Sequence, residues 1–497
     1  MLKFRKVILI MTDTQRWDMV NCFRNTGLET PHIDRLAEKG MRFDLAYTTQ
    51  PVCQPARAAI FTGQYPSSCA SWSNSMGISD TTLTLGQRLS DEGVHTAYIG
   101  KWHLDGSDYF GAGKCPAGWA PEYWYDMRCY LEELTTEERL RSRDMNYMLE
   151  HDYPAEMTFG HRCANRAEKF LEKHGDEDFF LAVSFDEPHD PSMCPKPYSD
   201  MYKDFVFPKS ENIYDDLENK PDFQRVWAGD SLHADKEGLE IKNRFLFGCN
   251  SYVDSQVGRI VDAAAKYAPD TMIIYTSDHG DFLHSHSLSG KGPAAYDEIT
   301  RIPFIIAGSG IPAGTVSVNP VSHINLAPTI MEVFGYSIPK TMHGNSLTGE
   351  LVNPACATNQ HVFIEFGRYE VDHDSFGGFQ PMRTVFDGRF KLTVNLLSGD
   401  ELYDMENDPY EMENLIECPQ HISIRNALHD VLLAHMNDIR DPFRGYYWER
   451  RPWRHDARKA TWTYTGMTRQ REEDERYEKR QLVYDTGLVM DKAVRMK

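Results

Sequence analysis

Long apolar runs are absent from this chain. Nothing among its 497 residues approaches the roughly 18 consecutive apolar positions that a membrane-crossing helix needs. The start, Met1-Leu2-Lys3-Phe4-Arg5-Lys6-Val7-Ile8-Leu9-Ile10-Met11, has the outline of a signal peptide. Its apolar run is too short and no small-residue cleavage site follows, so it reads as a first core strand. Positive charge is also scarce. Fifty-three Lys and Arg stand against 74 Asp and Glu, a formal net charge of −21. That balance argues against nucleic acid or an anionic membrane as a partner. Paired-cysteine and metal-finger spacings are missing as well. The ten cysteines are scattered, as expected of reduced residues in a large cytoplasmic protein. There are no internal repeats or low-complexity tracts.

What is present is a recurring unit: a β-rich apolar run that ends in a polar cluster. Val7 to Met11 runs into Asp13, and Thr96-Ala97-Tyr98-Ile99 into Lys101 and His103. Phe179 to Phe185 runs into Asp186, Glu187 and His189, and Met272 to Thr276 into Asp278 and His279. Continuous apolar runs suit strands buried on both faces of a parallel sheet. Helical patterns lie between them. Thr30-Pro31 opens one that carries Ile33, Leu36 and Ala37 and stops at Gly40, and Cys249, Val253, Val257, Ile260 and Val261 repeat at helical spacing. Strand–helix alternation predicts an α/β sandwich: a large, mixed, mostly parallel sheet between helices. Sites in such sheets form beyond the carboxyl ends of strands, where all four clusters sit.

Beyond Cys356 the pattern changes to short strands, His361 to Phe366, Arg389 to Val394 and Leu402-Tyr403-Asp404. The expected organisation is a catalytic domain over 1–360, a smaller α+β subdomain with an antiparallel sheet over 361–450, and a C-terminal arm over 451–497. The arm is a candidate contact for a homo-oligomer. Two aromatic-rich, irregular stretches, 105–153 and 195–242, read as insertions near the mouth of the site, with packing as the commoner role of their rings.

The most informative stretch is Cys53-Gln54-Pro55-Ala56-Arg57, running on to Thr62-Gly63. Pro55 suits a first helical turn, so Cys53 is placed at a helix N-terminus, where backbone N–H groups favour an anion. Arg57, one turn on, offers a rigid fork of donors. In its extended form this stretch resembles the signature of the type I sulfatases of the alkaline phosphatase superfamily, especially cytoplasmic bacterial ones. The likeness spans about Val7 to Leu415.

That resemblance implies several properties. Cys53 would be oxidised by a formylglycine-generating or anaerobic sulfatase-maturating enzyme to formylglycine (3-oxoalanine), whose hydrated aldehyde attacks sulfur. Asp13, Cys53, Asp278 and His279 would hold one divalent cation. The resemblance implies calcium; a histidine ligand leans toward manganese or zinc. Thr14 stands where many members carry a second aspartate. Gly100-Lys101-Trp102-His103-Leu104 resembles the stretch whose lysine and histidine flank the nucleophile, with Lys101 stabilising the diol or sulfate and His103 removing the second diol proton. His189 would protonate the leaving alcohol, and Lys291 would touch a sulfate oxygen. Arg383, Asp372 and His373 are expected to bind the sugar, Arg383 through a uronate carboxylate. Asn74 and His286 are weaker candidates. The implied function is removal of sulfate from a small sulfated carbohydrate, such as a glycosaminoglycan-derived fragment. Two rivals stand beside it: a phosphonate monoester or phosphodiester hydrolase of the same superfamily, and a non-catalytic binding protein in which Cys53 is never matured.

Overall fold

The first apolar run builds the middle of the molecule. In the computed structural model, Lys6–Asp13 is a strand whose Val7, Leu9 and Met11 face one helical layer while Ile8 and Ile10 face the other. All five are fully buried, so the run needs no polar face. The structure describes residues 2–106, 109–370, 374 and 378–457.

Thirteen strands occur among the described residues: β1 (Lys6–Asp13), β2 (Gly40–Phe43), β3 (Ala46–Tyr47), β4 (His95–Gly100), β5 (Phe179–Pro188), β6 (Met272–Ser277), β7 (Phe304–Ala307), β8 (Thr315–Ser317), β9 (Val321–Ser322), β10 (Val362–Arg368), β11 (Phe379–Phe386), β12 (Phe390–Asn395) and β13 (Glu401–Asp404). Seven form one sheet in the order β4-β5-β1-β6-β7-β2-β8. The pairs β4–β5, β5–β1, β1–β6 and β2–β8 are parallel, whereas β7 runs antiparallel to β6 and β2. This is the mixed, mostly parallel sheet expected. On one side pack helices Cys53–Thr62, Leu85–Asp91 and Leu326–Val333. On the other lie Pro31–Lys39, Phe159–His174 and Arg244–Tyr267, the last carrying Val253, Val257 and Ile260.

Gly40 does follow Pro31–Lys39, but not as a left-handed stop. It is extended, and a Cβ there would lie 2.4 Å from the carbonyl oxygen of Ile306, so glycine is required by the β2–β7 approach. Thr30 likewise makes no side-chain cap; its hydroxyl donates to Asp34.

The four strands that carry the polar clusters are neighbours in space, β4-β5-β1-β6. Their register brings the clusters level: Gly100 and Met11 both pair with Ser184, and Thr12 pairs with Ser277. Gly100 has φ +122°, and a Cβ there would come within 1.9 Å of the Ser184 oxygen, so only glycine lets Lys101 turn in here.

A second sheet, β10-β11-β12-β13, is wholly antiparallel. Its second strand, β11, takes up the stretch around Arg383 that reads in sequence as part of a binding loop. Residues 1–444 form one compact unit; a separate unit begins at Gly445 and contains a short helix, Tyr446–Glu449. From residue 458 on, the expected arm lies outside the described residues. No helix among the described residues is long and apolar enough to cross a membrane.

Candidate active site

Helix Cys53–Thr62 is buried along its whole length, and Cys53 is its first residue. Its cap residue, Val52, has no side chain that can accept the free N–H groups. One of them, from Gln54, is accepted by Asn74 Oδ1 at 3.1 Å. Asn74 therefore braces the turn that carries Cys53. The helix ends at Gly63 in a left-handed conformation, φ 68°.

Arg57, one turn in, ties the strand ends together. Its guanidinium donates to Asp13 Oδ2 at 2.9 Å and Asp278 Oδ2 at 3.1 Å. It also donates to the Lys101 carbonyl at 2.7 Å and Ser184 Oγ at 2.6 Å. Arg57, Asp13, Asp278, Lys101 and His279 are all fully buried.

The other Asp13 oxygen faces Cys53, and the other Asp278 oxygen accepts the backbone N–H groups of Thr14 and His279. The Cys53 Sγ lies 3.6 Å from Asp13 Oδ1 and 3.2 Å from His279 Nε2. His279 Nε2 is 3.8 Å from Asp13 Oδ1 and 3.6 Å from Asp278 Oδ1. One donor atom from each of these four residues fits within a 4.8 Å span, the dimension of a mononuclear metal site. Electrostatics fits such an ion too. Burial, opposed by Lys101, His189, Lys291 and Arg57, leaves the Asp13 carboxyl well below its ordinary range. Burial and the neighbouring Asp13 push Asp278 up to about 6. Two buried carboxylates facing each other want a cation between them. Thr14 softens that repulsion. Held at φ 63°, it donates its hydroxyl to Asp13 Oδ1 at 2.8 Å and its N–H to Asp278 Oδ1 at 3.2 Å. A second aspartate in its place would keep the N–H but replace the hydroxyl donor with another negative charge.

Two buried lysines stand beside Cys53 and Asp13. Lys291 Nζ is 2.8 Å from Cys53 Sγ and 3.0 Å from His279 Nε2. Lys101 Nζ lies 2.8 Å from Asp13 Oδ2 and 3.0 Å from Asp186 Oδ1. Burial and Asp13 push the Cys53 thiol up, but Lys291, Lys101 and His279 outweigh them and hold it well below its ordinary value. His103, buried and also left-handed at φ 55°, has its imidazole pKa lowered chiefly by burial. His189 closes the outer side. Its Nε2 is 3.5 Å from Lys291 Nζ and its Nδ1 is 3.0 Å from the Asp190 carbonyl.

Three participants have no assigned role in the sequence reading. Asp186 receives Lys101, the Tyr109 hydroxyl and Arg143, the last at 3.4 Å. Tyr109 lies under Lys101 Nζ, 4.0 Å from the ring centre, and reaches His189 Nδ1 at 3.4 Å. The strand-end position of Asp186 was a usable signal; nothing in the spacing marks Tyr109 or Arg143.

The expected sugar-binding set does not join this cluster as described. Arg383 is buried on β11, donating to Asp441 at 2.5 Å and to the Phe366 and Met382 carbonyls at 2.9 and 2.8 Å. Those bonds lock the sheet to the chain after helix Ile422–Asp438, in place of the expected grip on a uronate. Asp372 and His373 lie outside the described residues. His286 is also buried, stacked 3.9 Å from the Tyr296 ring and bound to Asp215 at 2.7 Å.

Comparison with known proteins fits this geometry. A family model described as Sulfatase matches residues 5–336, and one described as N-sulphoglucosamine sulphohydrolase, C-terminal, matches 292–438. The sulfatase YidJ of Escherichia coli (strain K12) is 42% identical over 98% of this chain and 97% of its own. A choline-sulfatase of Rhizobium meliloti is 28% identical, with 83% of each chain covered. Among solved structures, a protein in complex with its substrate D-glucosamine-2-N,6-O-disulfate superposes with TM-score 0.70 at 21% identity, covering 88% of this chain and 99% of that one. The phosphonate monoester hydrolase of Agrobacterium radiobacter reaches 0.74 at 21% identity, covering 87% and 96%. These last two bear on the fold alone. The chain belongs to the sulfatase family.

Proposed function

We propose that this enzyme hydrolyses sulfate esters of a small carbohydrate, using formylglycine made from Cys53 and one divalent cation, calcium before manganese or zinc. The observation that carries the reading is the position of Cys53. Its Sγ sits at the meeting point of Asp13, His279 and Lys291, at 3.6, 3.2 and 2.8 Å. The oxidised residue would supply the attacking oxygen, and the cation held by Asp13, Asp278 and His279 would polarise the sulfate. The remaining chemistry belongs to side chains already in place. Lys291 and Lys101 offset charge on the sulfate oxygens from a site that needs no rearrangement. Arg57 keeps Asp13 and Asp278 at fixed separation. His189, on the outer side, donates a proton to the departing alcohol oxygen, and His103, its pKa lowered by burial, takes one from the nucleophile's side.

The match of residues 292–438 to the model named for N-sulphoglucosamine sulphohydrolase supports a sugar substrate. All ten cysteines are free, which supports a reducing, cytoplasmic compartment where a maturation enzyme reaches the chain. A second reading, phosphonate monoester or phosphodiester hydrolysis, is favoured by one feature: Thr14 leaves the cluster one carboxylate poorer, which changes its preference among anions. Turnover of an aryl sulfate and an aryl phosphonate ester by the matured, metal-loaded enzyme separates the two. A kcat/KM at least ~10-fold higher on the sulfate supports the first reading; the reverse order replaces it with the second.

A further inference from the structure

The catalytic cluster gathers at the carboxyl ends of the strands. At the opposite, amino ends of β4 and β5 lies a second group of metal-ligating side chains: His95, His174 and Glu177. Like the cluster around Cys53, it holds one ligand atom per residue within a 4.8 Å span. His95 opens β4, His174 ends helix Phe159–His174, and Glu177 stands just before β5. Both imidazoles meet the same carboxylate. His95 Nδ1 lies 3.0 Å from Glu177 Oε2, and His174 Nδ1 lies 2.8 Å from Oε1. Zinc bonds of about 2.0–2.1 Å place tetrahedral ligands about 3.3 Å apart, so these donors are already near the required spacing.

The backbone fixes all three residues. The His95 N–H donates to the Asp178 carbonyl at 3.1 Å, and His95 pairs with Phe179 across the two strands. The Glu177 N–H donates to the His174 carbonyl at 3.0 Å and closes a tight turn. A Cβ on Gly175, within that turn, would lie 2.1 Å from the Tyr267 carbonyl oxygen, so the turn packs directly on the end of helix Arg244–Tyr267. The rings are wedged as well. Phe170 lies 5.4 and 5.2 Å from the His95 and His174 rings, and Tyr123 lies 5.7 and 5.2 Å from the same two. The Tyr123 hydroxyl bonds His174 Nε2. A cation on Nδ1 moves the ring proton to Nε2, where the Tyr123 oxygen accepts it; outer partners of this kind orient metal-bound histidines. Lys173 is turned to that same oxygen, at 3.2 Å. The His95 and His174 side chains are 22% and 12% exposed and that of Glu177 is 51% exposed. An ion therefore enters from the carboxylate side and keeps water as its fourth ligand.

The donor chemistry selects the ion. Calcium and magnesium take oxygen ligands, whereas two imidazoles and one carboxylate suit zinc. We propose that His95, His174 and Glu177 form a zinc site, separate from the catalytic cluster, that clips the start of β4 to the start of β5. Lys101 follows the far end of β4, about 20 Å along the strand, so this ion acts on stability and takes no part in the chemistry. The inference does not depend on the hydrolase reading, because its test needs no substrate.

Crystals of the full chain grown with zinc are measured on both sides of the zinc absorption edge. The expected result is an anomalous peak bounded by His95 Nδ1, His174 Nδ1 and the Glu177 carboxylate. In solution, zinc is titrated against a chromophoric chelator with the parent, Glu177→Gln and His95→Phe. Glutamine preserves the turn, and phenylalanine preserves the packing on Phe170. Losing a ligand should weaken one zinc equivalent by at least the ~10- to 100-fold that outer partners alone contribute. Zinc should also raise the parent's Tm more than that of either variant. An anomalous peak at the Cys53 cluster alone, or equal zinc stoichiometry and affinity in the parent and both variants, would overturn the proposal. If a variant does not fold, the parent's anomalous peak decides by itself.

Discussion

Replacing Arg57 with methionine removes a guanidinium that hydrogen-bonds both candidate metal-binding aspartates. Asp13 and Asp278 are fully buried, and each gives an oxygen to this guanidinium, at 2.9 and 3.1 Å. Stripping a partner from a buried ion pair costs about 3–5 kcal/mol, because the remaining charge is left uncompensated. The loss should depend on pH in a defined direction. Asp278 is already held up to about 6 by burial and by Asp13, against an ordinary value of 3.8. A carboxyl with a raised folded-state value weakens the fold as pH climbs through that value. Arg57→Met raises it further, so the gap between parent and variant should widen from pH 5 to pH 8. At pH 5 a protonated Asp278 needs no counter-charge, and Asp13 keeps Lys101 at 2.8 Å. Urea unfolding of the metal-free protein at both pH values reads this out. The expected losses are about 3–5 kcal/mol at pH 8 and at least ~1 kcal/mol less at pH 5. Added calcium should recover part of the pH 8 loss by binding the folded state. Equal losses at the two pH values, or less than ~1 kcal/mol at pH 8, would refute the electrostatic account of this cluster.

Cys53→Ala should abolish turnover, by ~1,000-fold or more, with an unchanged circular dichroism spectrum; retained activity would point to another nucleophile. His189→Ala should slow sulfate esters with poor leaving groups by roughly 100-fold or more and activated aryl sulfates by less than ~10-fold. Similar losses on both classes would remove its proton-donor role. Burial and the adjacent Asp186 push Glu187 from 4.5 up to about 7, so the protonated form fits the fold and stability falls as pH rises through 7. Glu187→Gln should thus stabilise the protein by up to about 3 kcal/mol at pH 8 and very little at pH 4, measured by thermal or urea unfolding. A gain that does not change with pH would contradict that ionisation.

Much of the architecture was legible because β1, β4, β5 and β6 are apolar on both faces and end abruptly in charge. That pattern identifies central parallel strands and marks which end carries chemistry. Asp13, Lys101, His103, His189, Asp278 and His279 lie together at neighbouring strand ends, where the strand-end argument puts them, and Cys53, Arg57 and Lys291, taken from the helix start and the resemblance, lie against that cluster. The antiparallel half of the sheet was harder to see. β2, β7 and β8 have only four, four and three residues, too few to show a period. Arg383 misled for a related reason. Glycines and charges around it read as a loop, but the stretch enters β11, whose long-range pairing with β10 and β12 turns the arginine inward to Asp441. Tyr109 gave no signal because its role depends on contact with Lys101, eight residues away, and with His189 on another strand end. Glu187 was visible as a residue beside Asp186, but its bond to the Gly160 N–H at the start of helix Phe159–His174 exists only in three dimensions.

The account stands or falls on the chemical identity of residue 53. Peptide mass spectrometry across Cys53, on active enzyme purified from a host with its own maturation enzyme, reads it directly. The predicted result is a side chain in which the thiol has given way to an aldehyde, trappable by a hydrazide, in a fraction that tracks specific activity. Fully active enzyme carrying an unmodified cysteine at this position would contradict it.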